Sequence, residues 1–179
     1  MVGKNNYWVL ILIIIVLSNS KKSYAQEYRG NVGARFGYGI GITGTYNLQN
    51  NQAIEFLLRY GYHGVVINKP GGNFQALYQK HWEIRRSNFT VFVGAGPSIG
   101  AGKKNNISKQ VYFALGISPQ IGFDYTARRT KLPLIIALDY KPTFNVDFPL
   151  KKKISKKVET DFSYYEIAFS IKFGLKRIR

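Results

Sequence analysis

The chain predicts an all-β fold, an eight-stranded antiparallel up-and-down transmembrane β-barrel. Three observations carry that prediction. From Tyr165 to Leu175 every odd position (Tyr165, Ile167, Phe169, Ile171, Phe173, Leu175) is large and apolar, whereas Glu166, Ala168, Ser170, Lys172 and Gly174 are small or polar. Strand side chains alternate between faces, so one face of this segment is oily and the other carries charge. The same pattern recurs in most earlier segments. It follows a leader of the secretory type, and export combined with alternation is the signature of a membrane barrel.

Residues 1–25 read as that leader, and 26–179 as one barrel domain. Lys4 lies in a short n-region, and the run from Tyr7 to Leu17 is unbroken and apolar. Its eleven residues fall well short of the roughly 20 that a membrane-spanning helix needs. Ser23-Tyr24-Ala25 supplies small residues where a signal peptidase reads, which places cleavage after Ala25. The chain has no cysteine, which excludes disulfides, thiolate metal sites, a cysteine nucleophile and a lipoprotein-type anchor.

Turn signals divide the remainder into strands near 31–38, 40–48, 52–64, 74–84, 89–101, 111–126, 132–147 and 162–175. The connections after the second, fourth and sixth strands are short. Those after the third, fifth and seventh are generally longer, the layout expected of periplasmic turns and outer loops. The tight connection around Gly39 is the exception. In the third strand Ile54, Phe56, Leu58, Tyr60 and Tyr62 oppose Glu55, Leu57, Arg59, Gly61 and His63. The sixth sets Val111, Phe113, Leu115, Ile117, Ile121, Phe123 and Tyr125 against Tyr112, Ala114, Gly116, Ser118, Gln120, Gly122 and Asp124. The seventh opposes Leu134, Ile136, Leu138, Tyr140, Phe144 and Val146 to Ala137, Asp139, Lys141, Thr143 and Asn145. The fifth puts Phe89, Val91, Val93 and Ile99 opposite Thr90, Gly94, Gly96, Ser98 and Gly100. In the fourth, Lys80 falls among Ala76, Tyr78 and Trp82 on the oily side, which predicts either snorkelling near an interface or a bulge. Pro97, Pro119 and Pro142 cannot donate a ladder bond and predict bulges as well.

The inward positions collect Arg35, Arg59, Lys141 and Lys172 with Glu55, Glu83, Asp124, Asp139 and Glu166. The whole chain carries only nine acidic residues against 26 basic ones. Concentrating five of the nine inside implies pairing, because buried charges are costly alone. Eight strands leave an interior that side chains can fill, so the expectation is a salt-bridged lumen and not an open pore. His63 and His81 would lie about 20 Å apart along the strands, too far to share a metal. No serine motif, metal-ligand set or cofactor signature is present, and neither a catalytic residue nor a cofactor is expected.

Phe, Tyr and Trp make up 15% of the chain. Tyr38, Tyr46, Tyr60, Tyr62, Tyr78, Trp82, Tyr125, Tyr140 and Tyr165 lie near strand ends or on the oily face, as interfacial girdles require. A base-stacking surface for nucleic acid is the competing reading of aromatic and basic content; export and outward alternation oppose it. The net charge of +17 resides mainly in the connections. Lys151, Lys152, Lys153, Lys156 and Lys157 crowd the last outer loop. They suit anionic headgroups or lipopolysaccharide phosphates, or form a merely solvated loop.

The succession Ala76-Leu77-Tyr78-Gln79-Lys80-His81, Val93-Gly94-Ala95-Gly96, Ile121-Gly122-Phe123-Asp124-Tyr125 and Leu138-Asp139-Tyr140-Lys141-Pro142-Thr143-Phe144-Asn145 resembles the small eight-stranded outer-membrane β-barrel domain of Gram-negative bacteria. In plan it is similar to the outer-membrane protein A and X barrels over essentially all of 29–175. The resemblance implies a monomer among outer-membrane lipid and lipopolysaccharide, inserted by the barrel assembly machinery, with no catalytic residues. Such barrels commonly end on an aromatic residue read by that machinery, whereas this chain continues past Phe173 to Ile178-Arg179. The functional expectation is a structural or surface-interaction protein. A narrow channel for small solutes and a lipid-modifying enzyme using His63 are the alternatives, and a soluble lipocalin-like barrel is the rival fold.

Overall fold

A computed structural model describes residues 29–37, 39–62, 70–84, 87–103, 111–127, 133–149, 159–163 and 166–175. Ten strand segments are present: β1 (Gly30–Gly37), β2 (Gly39–Asn47), β3 (Gln52–Tyr62), β4 (Pro70–Glu83), β5 (Phe89–Lys103), β6 (Val111–Ala127), β7 (Leu134–Tyr140), β8 (Thr143–Pro149), β9 (Glu159–Ser163) and β10 (Ile167–Leu175). β7 and β8 together form the seventh barrel strand, and β9 and β10 the eighth. Every neighbouring pair is antiparallel, and β1 pairs with β10 from Gly30↔Leu175 to Phe36↔Phe169, so the sheet closes on itself. The result is an eight-stranded antiparallel barrel closed through β1 and β10, with β9 paired to β8 alone among the described residues.

The turns follow from local chemistry. Asn50 and Asn51 both have positive φ, at 61° and 59°, in the short connection between β2 and β3. Asparagine tolerates that left-handed region better than other residues with a Cβ. Gly39, at φ 114°, begins β2 directly after the tight first connection, a backbone conformation closed to L side chains.

Register decides where the sheet is irregular. Pro97 and Pro119 sit in β5 and β6 with the same registers on either side, so neither strand has a bulge there. The β4–β5 ladder merely lapses between Gln75↔Ser98 and Tyr78↔Ala95. Pro142 interrupts the seventh strand, yet β6 keeps one register against β7 and β8. The bulge lies on the opposite strand. Tyr140 pairs with Ile167 and Thr143 with Ser163, so between these pairs the eighth strand has one residue more than the seventh. The expectation of proline bulges is therefore corrected: a missing donor costs a ladder bond, whereas a bulge needs an extra residue, and these strands have none.

The pairing also winds. Following partners from Arg35 through Gly41, Arg59, Asn73, Gly100, Ala114 and Asp147 leads to Glu159 on the eighth strand. Direct closure instead sets Arg35 against Ser170. One circuit therefore slips by eleven residues, one of which is the bulge. That stagger tilts the strands and brings residues distant along the strands to one level inside.

Polarity is inverted relative to an ordinary soluble core. Among the described residues, 18 polar or charged side chains are buried, against nine apolar ones. Meanwhile 26 large hydrophobic residues are exposed, including Ile42 at 65%, Leu58 at 60% and Ile117 at 63%. Tyr46, Trp82, Phe89 and Tyr125 sit outward at the short-turn end, with Phe89 and Tyr125 in ring contact at 5.0 Å. Phe36, Tyr60 and Phe148 take similar outward places toward the other rim. Lys80 lies near the short-turn end of β4, where its Nζ donates to the Asn50 carbonyl at 2.5 Å. The β3–β4 register is unbroken across it, so the aliphatic stem runs along the outer face and the ammonium reaches the turn.

Candidate functional site: the polar lumen

Inward residues come from every strand because each contributes one parity of its alternation. Glu55 on β3 is the hub of the half nearer the short turns. It is fully buried. Its Oε1 accepts from Thr43 Oγ1 at 2.6 Å and from Lys172 Nζ at 2.9 Å. Its Oε2 accepts from Gln79 Nε2 at 2.8 Å and Gln120 Nε2 at 3.2 Å. Four donors from β2, β4, β6 and β10 thus converge on one carboxylate and cross the barrel interior. Such saturation is what a charge removed from water requires.

The network continues to the short-turn mouth. Gln79 also donates to Gln120 Oε1 at 2.9 Å, while its own Oε1 lies 3.1 Å from His81 Nε2. The His81 ring stacks on Phe92 at 5.4 Å, and its Nδ1 is 3.9 Å from Asp124 Oδ2. Glu83, Thr90 and Asp124 occupy one inward row across β4, β5 and β6, each half-buried.

Toward the long-loop end, Arg35 donates through both terminal nitrogens to the two oxygens of Asp139, joining β1 to β7. A bidentate guanidinium–carboxylate pair fixes orientation as well as distance. Arg59 pairs with Glu166, which also accepts from Thr143 Oγ1 at 2.8 Å. Ser118 donates to Thr143 at 3.0 Å, and Ser98 to Asn145 Oδ1 at 3.2 Å. Lys141, fully buried, donates to Gln75 Oε1. Leu57 and Leu77, both fully buried, point into the same interior.

All nine charged positions expected inside face the lumen. Arg35, Glu55, Arg59, Asp139, Lys141, Glu166 and Lys172 are buried; Glu83 and Asp124 are half-buried nearer the mouth. Three cation–carboxylate pairs join six of them: Arg35–Asp139, Arg59–Glu166 and Lys172–Glu55. The charges alone do not describe the site. Thr43, Gln75, Gln79, Ser118, Gln120 and Thr143 make the connections between them, and Phe92, Leu57 and Leu77 fill space that charge does not. The alternation that located the acids and bases also places these residues inward. His63 and Lys151, Lys152, Lys153, Lys156 and Lys157 lie outside the described residues. No group of three or more His, Asp or Glu among the described residues could hold a metal. Chemically the lumen is a network of hydrogen bonds and ion pairs, from which some buried atoms, among them Thr45 Oγ1, Gln75 Nε2, Asp124 Oδ1 and Ser170 Oγ, are left out.

No protein-family model matches the chain. No curated protein sequence matches it either.

Proposed function

We propose that this chain is an integral outer-membrane barrel with a filled polar lumen, serving a structural or surface-interaction role without catalysis. The observation that carries this reading is the inversion of polarity: the exterior presents a nearly continuous apolar face, and the interior collects nine charged residues, six of them in ion pairs. An exposed apolar surface of that extent in water would drive association, whereas in hydrocarbon it is the solvated face. A lipocalin-like carrier would need the opposite arrangement, with apolar residues lining a cavity. The aromatic residues at both rims and the closure of the sheet through β1 and β10 support the same conclusion.

On this reading residues 1–25 direct export, the assembly machinery inserts the barrel, and the short turns face the periplasm. Similarity in plan to the outer-membrane protein A and X barrels supports a monomer. The lysines of the connection between β8 and β9, Lys151, Lys152, Lys153, Lys156 and Lys157, are the proposed partners of lipopolysaccharide phosphates. A narrow channel is the alternative function, and it requires a water path past Glu55 and its four donors. The test is migration of the outer-membrane fraction in cold detergent with and without boiling. A heat-dependent shift is expected, and a soluble periplasmic protein lacking the shift would refute the reading.

A further inference from the structure

One outward feature departs from a smooth lipid-facing wall. Just beyond the Pro142 break and the bulge, toward the long-loop rim, a groove of about 530 Å³ opens on the outer face. Leu115 and Ile117 of β6, Phe144 and Val146 of β8, and Thr160 of β9 line it. Leu115, Ile117 and Phe144 are among the exposed apolar residues of the outer face, so the groove is continuous with the apolar band.

A cation stands toward the rim on the adjoining strand β5, outside the groove itself. Ile99, Ala101 and Lys103 alternate outward along β5, Ile99 pairing with Leu115 and Lys103 with Val111. Lys103 is exposed, four residues from the groove's row and therefore about 13 Å nearer the rim. An apolar slot below and an ammonium above complement an amphiphile with an acyl tail and an anionic head. A neutral lipid would satisfy only the slot, and a soluble anion only the lysine.

We propose that this groove seats one acyl chain of a phosphorylated, multiply acylated glycolipid of the lipopolysaccharide class, with a phosphate of its head held by Lys103. The inference rests on the membrane reading and adds a defined lipid site to it. Dispersion contacts along the five side chains hold the tail in place. The ammonium at a membrane surface favours the anionic form by about fivefold.

The full chain, purified in neutral detergent, would be incubated with bisphosphorylated lipid A or the same glycolipid after dephosphorylation. Retained lipid would be counted by native mass spectrometry. Wild type is expected to retain the phosphorylated form about fivefold more. Lys103→Gln should lose that preference while still binding the tail. Thr160→Trp, which fills the slot from an exposed position, should reduce retention of both forms. Equal retention of the two forms by wild type, or undiminished retention in Thr160→Trp, would overturn the proposal. The heat-dependent mobility shift is read on each sample in parallel. With the shift intact, lost retention belongs to the groove alone; a wild type without the shift contradicts the membrane reading and the lipid site together.

Discussion

Replacing Lys172 with Met leaves Glu55 buried, charged and without its cation. Both side chains are almost fully shielded, Lys172 at 5% exposure and Glu55 at 0%. Removing one partner of a buried pair typically costs about 3–5 kcal/mol because the remaining charge is uncompensated. Thr43, Gln79 and Gln120 still donate to Glu55 in the variant. Those three bonds keep the expected loss near the lower end, about 3 kcal/mol. Adding Glu55→Gln discharges the orphan and keeps one carbonyl oxygen for Gln79 and Gln120, while its amide nitrogen turns to Thr43, whose hydroxyl can accept as well as donate. The double variant should therefore be less impaired than the two single losses together, with a coupling of about 2 kcal/mol. Urea unfolding of the barrel in lipid vesicles would measure this. Trp82, half-buried on β4 near the short-turn end, serves as the fluorescent reporter. Additivity of the two substitutions within about 0.5 kcal/mol would refute the assignment of Glu55–Lys172 as a buried pair.

Two further outcomes follow from the same geometry. Lys141→Met should change stability by only about 1 kcal/mol in either direction, because its hydrogen-bond partner Gln75 is neutral and no carboxylate is orphaned; a loss as large as that of Lys172→Met in the same titration would contradict this. Gly33→Ala should destabilise by about 1–3 kcal/mol, since a Cβ there would run into the Ile171 carbonyl and the Lys172 backbone across the β1–β10 closure. A lower fraction of heat-shifted, folded protein on gels would report it, and unchanged folding would show that the closing strands are not so tightly apposed.

The strands and their facing were legible because one parity of each is apolar and the other is not. Glu55 and Leu57 both point inward beside outward Phe56 and Leu58, and counting by twos along β3 suffices to see it. Partnership was less legible. That Arg35 meets Asp139, 104 positions away, depends on the stagger of the closed sheet, which no single strand reveals. Nor does the chain advertise its bulge. Pro142 draws attention to the seventh strand, but the extra residue belongs to the eighth and emerges only when Tyr140↔Ile167 is compared with Thr143↔Ser163. Lys80 shows the same limit: its position on the oily face was evident, whereas the Asn50 carbonyl as its partner required the β3–β4 register. The neutral lumen residues Gln79 and Gln120 carried a signal in their parity, but attention to charge alone passes over them.

The central claim is that the apolar exterior faces lipid. Leu58, 60% exposed on the outward face of β3, is the place to test it. Leu58→Arg in a barrel facing bilayer should lose about 2–4 kcal/mol of stability in vesicles. In a water-soluble barrel the same surface change would stay within about 0.5 kcal/mol. Urea unfolding of wild type and Leu58→Arg reconstituted in vesicles decides between them. A loss in the first range is what the membrane account predicts, and an unchanged midpoint would contradict it.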